Sequence, residues 1–241
     1  MTEQLIIPAK VYREVPMPRK GGRRLVIPDI HGCARTFMAL LEQLALTAED
    51  QIFILGDMIN RGPDSHEALD TILALQDQGL SVMALRGNHE EMLLAAIEAG
   101  PERLAEFMTG QPKLQVLLNK KGKVRKRYKR LLASLPLYYL TDGFLLIHAG
   151  LNLTMPDPFT DLRAMTWIRD FKAKEPINGR RVIHGHQPRS YPNILKSIEN
   201  KAHSIGIDNG CVLVANGREV GALLCLELDS LKLFAQRNID N

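Results

Sequence analysis

Short apolar runs alternate with longer stretches of helical periodicity over the first hundred residues. The runs at 24–28 (RLVIP), 51–55 (QIFIL) and 81–85 (SVMAL) have the length and side chains of buried strands. Between and after them, apolar residues fall three and four apart: Phe37, Leu40, Leu41 and Leu44 within 33–46, then Ala68, Leu69, Ile72 and Leu75 within 65–75. A third helix is predicted over 90–99. This alternation predicts a βαβαβ unit with parallel strands, and hence an α/β protein. In such sheets the chemistry collects just past the carboxyl ends of the strands. The polar clusters found there are PDIHG, GDMINRG and RGNHE.

Downstream the pattern changes twice. Residues 100–136 read as helical and basic, without strand-like alternation, and 144–147 (FLLI) and 181–183 (RVI) are short strands ending in HAG and HGHQP. Residues 194–198, 203–207, 212–214 and 220–228 read as strands separated by Asn-Lys, Asp-Asn-Gly and Asn-Gly turn signals, which predicts an antiparallel second sheet. Pro8, Pro16 and Pro18 mark residues 1–22 as an extended N-terminal arm ahead of one domain over 23–241.

Composition narrows the class. With 45% hydrophobic and 24% charged residues in 241, the chain is neither disordered, collagen-like nor a coiled coil. The N-terminal region has an apolar run only at 5–7, and no eighteen apolar residues run together, so neither a secretory signal nor a membrane span is expected. Cys33, Cys211 and Cys225 show no CxxC spacing, which fits a reducing cytoplasm better than a disulfide scaffold or structural zinc. The net charge of +4 is local in origin. Eight Lys and Arg lie within 120–130 with no acid among them, and the rest of the chain is net acidic. Tyr128 is the only aromatic residue of that run, so the stacking platform of a single-strand binder is missing and nucleic acid is not the expected partner. The run reads as a solvated helix face or, alternatively, a docking patch for an acidic partner.

The five strand ends deliver Asp29 and His31, then Asp57, Asn88, His148 and His186. Carboxylate, amide oxygen and imidazole suit Mn, Fe or Zn, and the absence of cysteine argues against a thiolate site. Two ions held together, one Asp bridging them, can clamp both oxygens of an in-line displacement at phosphorus. Any one of these motifs is weak; five in order, each closing a strand, form a strong signal.

PDIHG, GDMINRG, RGNHE, HAG and GHQP together resemble the signature of metallophosphoesterases (calcineurin-like), specifically the phosphoprotein phosphatase family in its short bacterial and phage form. The resemblance runs from about residue 24 to 228 and takes in TWIRD and IGIDNGCV. It implies a β-sandwich of two mixed sheets flanked by helices, with a dinuclear centre at strand ends. By motif, Asp29, His31 and Asp57 would hold one divalent ion, and Asp57, Asn88, His148 and His186 the other, with manganese first and iron or zinc as options. A bridging hydroxide would attack phosphorus. His89 would be the general acid, and Arg61 and Arg169 would grip the phosphoryl oxygens beside Asn88 and His89. The implied substrate is a phosphorylated protein or a small phosphoester. Serine/threonine protein phosphatase activity comes first because of GNHE, and diadenosine tetraphosphate or nucleotide polyphosphate hydrolysis is the alternative. A non-catalytic module binding through 120–130 is the rival of a different class.

Two positions depart from that pattern. Asn60 stands where the family has an Asp that pairs with the general-acid histidine. Asn is expected to accept a hydrogen bond from the ring without stabilising its charge, lowering the His89 pKa and slowing the enzyme or shifting its optimum down. Pro28 replaces a usual Gly before the first Asp, at little cost in an extended strand end. His184 forms an H-x-H with His186 but comes before the GH histidine, so it is expected beside the ligands and not among them. Glu90 and Glu91 are expected to cap the third helix, and Cys33 to pack.

Overall fold

Residues 6–213 and 219–240 are described in a computed structural model of the chain. In chain order the elements are β1 (Tyr12–Glu14), β2 (Arg24–Ile27), α1 (Ala34–Leu44), β3 (Gln51–Ile54), α2 (Ser65–Asp77), β4 (Ser81–Ala84), α3 (Asn88–Glu98) and α4 (Pro101–Gly110). A 3-10 turn (Pro112–Leu117), α5 (Lys126–Ala133), β5 (Tyr138–Thr141), β6 (Phe144–Ile147), α6 (Ala164–Trp167) and β7 (Arg181–His184) follow. The chain continues through α7 (Tyr191–Glu199), β8 (Ser204–Gly206), β9 (Ala222–Glu227) and β10 (Leu233–Arg237). Among the described residues, no helix is long and apolar enough to cross a membrane.

The strands form two mixed five-stranded sheets, ordered β1-β5-β6-β7-β8 and β10-β9-β2-β3-β4. β2 and β3 are buried at every position, which is why they read as unbroken apolar runs. Their residues divide between two cores because side chains alternate across a strand. Val26 and Phe53 join Leu224 and Leu226 against Tyr139, Leu146, Ile183 and Ile205, filling the space between the sheets. Phe53 and Tyr139 meet edge-on at 5.8 Å, and the Tyr139 hydroxyl donates to the Ala84 carbonyl at 3.2 Å. Leu25, Ile27, Ile52 and Ile54 point the other way, onto Phe37, Leu40 and Leu44 of α1 and Ala68, Leu69 and Ile72 of α2. The opposite outer face packs Tyr138, Leu145, Ile147 and Val182 against Met165 and Phe171.

The C-terminal third corrects the pattern reading. Residues 194–198 are helical, not a strand: Pro192 sits in the first turn of α7, and Ile194 and Ile198 are apolar at i and i+4, the helical interval. β8 pairs parallel with β7 and extends the sheet of β5 and β6, so the last sixty residues do not make an antiparallel sheet of their own. Among the described residues of this last segment, β9 and β10 alone form an antiparallel hairpin, and it lengthens the other sheet through β2. Of the strand expected at 212–214, Val212 and Leu213 are irregular, and position 214 lies outside the described residues, as does the Asn-Gly turn. In the arm, β1 pairs parallel with β5. Residues 120–125 form a turn closed by a bridge between Leu118 and Val124, and the remaining basic residues lie on α5.

Two carboxylates fix the ends of this scaffold. Cys33 gives α1 no side-chain cap; instead Asp240 accepts from the Arg35 N–H at 3.0 Å, the Thr36 N–H at 2.8 Å and the Thr36 hydroxyl at 2.5 Å. Asp50 accepts from the Arg23 N–H (2.8 Å), Nε (3.1 Å) and Nη2 (2.6 Å), and from the Thr47 N–H at 2.9 Å. Burial opposes the Asp50 charge, but these bonds prevail and pull its carboxyl down to about 2. Asp240→Ala is expected to cost about 1 kcal/mol of unfolding free energy, and a Tm loss of roughly 2–4 °C. Because the Asp50 pKa is depressed on folding, its contribution is complete above the unfolded carboxylate range and fades as pH falls toward 2. The loss of unfolding free energy in Asp50→Asn, of order 1 kcal/mol after solvent screening, should therefore be read as a lowered Tm at pH 7 and shrink below about pH 4.

Candidate metal centre

The strand ends of both sheets meet at one edge of the sandwich. The β2 loop brings Asp29 and His31, and the β3 loop brings Asp57. Asn88 and His89 open α3 after β4, while His148 follows β6 and His186 follows β7. Backbone hydrogen bonds lace the first two loops together: the Ile30 and His31 N–H groups donate to the Asp57 carbonyl at 3.1 and 2.8 Å, and Gly62 N–H donates to the His31 carbonyl at 2.8 Å. The two sheets are joined through the site as well. The His186 N–H donates to Asp29 Oδ1 at 2.9 Å, and His148 Nδ1 donates to the Leu55 carbonyl at 2.9 Å.

Five residues of these loops, His31, Asp57, Asn60, Arg61 and His186, have φ between +46° and +73°. That conformation is strained for most side chains and clusters where surrounding structure enforces a functional geometry. Two glycines permit the closest approaches. A Cβ on Gly87 would lie 2.2 Å from Asp57 Oδ1, and one on Gly185 would lie 2.3 Å from Asp29 Oδ1.

The donor atoms are arranged for cations. His31 Nδ1 donates to the Ile59 carbonyl at 3.2 Å, which leaves the Nε2 lone pair facing Asp57 Oδ2 at 3.6 Å and Asp29 Oδ2 at 3.9 Å. Asp29 Oδ2 is buried and has no hydrogen-bond partner. On the other side, the bond of His148 Nδ1 to Leu55 leaves Nε2 bare. It lies 3.2 Å from Asn88 Oδ1, 3.2 Å from His186 Nδ1 and 3.7 Å from Asp57 Oδ1. Crowding buried acceptors this closely is costly unless positive charge sits among them. Among the described residues, two groups present atoms close enough to hold an ion, His31 with Asp57 and His89, and Asp57 with His148 and His186. Asp57 is common to both.

Protonation follows the same logic. Burial, aided by Asp208 and Asp57, holds the Asp29 carboxyl well above its ordinary range, and burial with the Glu90 charge does the same for Asp57. Burial pushes His31 and His148 well below the usual imidazole value, takes His89 down to about 3 and, with Arg169 and Arg61, takes His186 to about 4. Imidazoles kept neutral beside carboxylates that lack a counter-charge are the two halves of a cation site. Arg61 and Arg169 are exposed at its mouth, near enough to depress these histidines.

Several sequence readings change here. Asn60 meets His89 as a donor and not as an acceptor: its Nδ2 lies 3.0 Å from His89 Nδ1 and 2.8 Å from Gln111 Oε1, while its Oδ1 accepts from the Arg61 N–H at 2.8 Å. His184 stays out of both groups, its ring stacked edge-on against Phe171 at 5.5 Å. Glu90 caps α3 through the Gly87 N–H (2.9 Å), but it also accepts from the N–H groups of Asp57 (2.8 Å), Met58 (2.9 Å) and Ile59 (3.3 Å). It thus clamps the loop that carries Asp57. Glu91 accepts from the Thr166 hydroxyl at 2.7 Å, tying α3 to α6 just before Arg169. Gln111 and Lys113 (whose Nζ donates to the Arg61 carbonyl at 2.6 Å) had no signal in periodicity or spacing, since their partners are distant in sequence. Buried Asp208 accepts from the nearby Gly210 N–H at 2.7 Å, and only folding brings its charge beside Asp29. Glu90→Gln replaces an acceptor oxygen with an amide that faces backbone N–H donors. It should lower stability by about 1–3 kcal/mol and weaken manganese binding at least about tenfold by titration calorimetry.

Comparison with known proteins agrees with this architecture. A profile of the calcineurin-like phosphoesterase family matches residues 22–217. The symmetrical bis(5'-nucleosyl)-tetraphosphatase of Aromatoleum aromaticum is 35% identical over 126 residues, 52% of this chain and 43% of that protein. The chain thus aligns with less than half the length of that relative. The asymmetrical bis(5'-nucleosyl)-tetraphosphatase PrpE of Anoxybacillus flavithermus is 26% identical, covering 86% of this chain and 92% of its own. A serine/threonine phosphatase structure from Saccharomyces cerevisiae superposes with TM-score 0.63 at 15% identity, over 98% of this chain and 85% of that one, a likeness of fold. With two mixed sheets flanked by helices and a cluster of potential metal ligands at their shared edge, the chain belongs to the calcineurin-like phosphoesterase family.

Proposed function

We propose that this protein is a metal-dependent hydrolase of phosphoanhydrides, with a dinucleoside polyphosphate such as diadenosine tetraphosphate as its substrate class. The observation that carries the hydrolase reading is Asp57, a buried carboxylate shared by two groups of potential ligands. The relatives named above support the substrate class, in preference to the phosphorylated side chain that GNHE first suggested. Asp29, His31 and Asp57 would hold one divalent ion and Asp57, Asn88, His148 and His186 the other, with manganese suited to this oxygen and imidazole set. Bound ions of this kind supply Lewis acidity at phosphorus and make water a nucleophile near neutral pH.

The chain's own groups do the rest. Arg61 and Arg169 bind the phosphoryl oxygens and neutralise charge that grows on them as the phosphoryl group transfers. Asn88 and His89 complete the cradle, and His89 Nε2, 3.9 Å from Asp57 Oδ2, faces the oxygen that leaves. The three free, buried cysteines accord with work in a reducing cytoplasm.

Manganese-loaded protein should hydrolyse diadenosine tetraphosphate and release little phosphate from a phosphoserine peptide. Asp57→Asn should remove at least about 99% of the activity, because it disturbs both ion sites at once. Turnover of the peptide alone would return the protein to the protein-phosphatase branch. Salt-dependent binding with no turnover of either would favour the binding-module reading through residues 120–130.

A further inference from the structure

Asn60 is buried, and its side-chain orientation is fixed from two sides. The Arg61 N–H must meet an acceptor, so Oδ1 lies there at 2.8 Å. Nδ2 is then left to face His89 Nδ1 at 3.0 Å and Gln111 Oε1 at 2.8 Å, and Gln111 presents the acceptor that uses its second hydrogen. Turning the amide over would set donor against donor at Arg61 and oxygen against oxygen at Gln111. An amide nitrogen only donates, so His89 Nδ1 must accept, and the ring carries its proton on Nε2. Nε2 is the nitrogen that faces the site, 3.9 Å from Asp57 Oδ2.

We propose that Asn60, oriented by the Arg61 N–H and by Gln111, is a positioning residue that fixes His89 as the Nε2–H tautomer and thereby selects substrates by leaving group. Two consequences follow. The proton on Nε2 occupies the lone pair with which His89 would otherwise join His31 and Asp57 around an ion, so His89 is kept off the metal although it lies within reach. The Nε2–H group also donates a hydrogen bond without giving up its proton, since a neutral imidazole is far too weak an acid to lose its only N–H. A ring protonated on both nitrogens would press Nδ1–H against the Asn60 amide hydrogens.

The leaving-group consequence rests on the hydrolase reading above. In the step, the oxygen of water bonds to phosphorus, and the P–O bond to the leaving group breaks with its electron pair on that oxygen. The water protons pass to solvent and product phosphate. A phosphate expelled from an anhydride is a weak base and departs with only a hydrogen bond from Nε2–H. A serine or threonine alkoxide is a strong base and needs a transferred proton. The Asn60 arrangement therefore favours phosphoanhydrides and acidic phosphoesters over alkyl phosphomonoesters.

The test combines a spectrum with a ratio of rates. In the full-length ¹⁵N-labelled protein loaded with diamagnetic zinc, long-range ¹H–¹⁵N correlation assigns the His89 tautomer, with His89→Gln identifying the signals. Wild type should show Nε2 protonated and Nδ1 bare. Asn60→Asp keeps the shape and tolerates the φ of +73°, and its carboxylate should add a proton on Nδ1 while Nε2 keeps its own, giving a ring protonated on both nitrogens that can transfer the Nε2 proton. Gln111→Leu should give a mixed signal and Gln111→Glu, which retains the acceptor, the wild-type one. In the manganese enzyme, Asn60→Asp should lower the ratio of kcat/KM for diadenosine tetraphosphate to that for a phosphoserine peptide at least about tenfold. Nδ1–H in the wild type would overturn the tautomer assignment. Nε2–H with an unchanged ratio would overturn the leaving-group selection. No turnover of any substrate would overturn the hydrolase reading and the selection with it, while the spectrum alone decides the tautomer.

Discussion

A buried carboxylate cannot remain ionised in an apolar sandwich without positive charge, and the structure is organised around that constraint at Asp57. Its backbone sits in the left-handed region, held by the Glu90 carboxylate on its N–H and by the Ile30 and His31 N–H groups on its carbonyl. Its side chain accepts from the His89 N–H at 3.0 Å and faces imidazoles from both sheets. Glu90 raises the need for a cation further, because it brings a second buried carboxylate against the first. Strain and repulsion of this kind are kept where binding a counter-charge returns the cost, which makes the affinity of the site for divalent ions also a contribution to folding.

The two sheets matter because they supply different halves of the centre. Parallel strands β2, β3 and β4 point their carboxyl ends at one edge, as any βαβ unit does, and β6 and β7 bring His148 and His186 to the same edge from the facing sheet. The bond from His148 Nδ1 to the Leu55 carbonyl crosses the sandwich and sets which imidazole nitrogen faces Asn88, His186 and Asp57. Packing between the sheets, seen in Phe53 against Tyr139, is what keeps those halves in register.

Legibility in the sequence tracked the range of the interactions involved. β2 and β3, buried on both faces, the half-buried β4 and the helices after them were readable because short apolar runs and 3.6-residue periodicity are local signals, and the residues at their ends were readable because Gly, Asp, Asn and His stand beside one another in short motifs. The C-terminal third was misread where a helix carries little more than Ile194 and Ile198 toward the core, an interval too short to separate from a strand. Parallel pairing of β8 with β7 has no local signature at all. At the site, Asn60 stood out as a departure, but its role depended on Gln111, fifty-one positions away, and on which end of an amide faces an imidazole. Glu90 was legible as a helix cap and illegible as the clamp on Asp57, thirty-three positions earlier.

On the function proposed above, Asp57 would join two ions in this site while His89 stood apart from both. Anomalous diffraction from crystals of the manganese-loaded protein, recorded at the manganese edge, tests it most directly. Two anomalous peaks are expected to flank Asp57, one ligated by Asp29 and His31 and the other by Asn88, His148 and His186, with no bond from His89 to either. A single peak, or an ion bound through His89 Nε2, would contradict it.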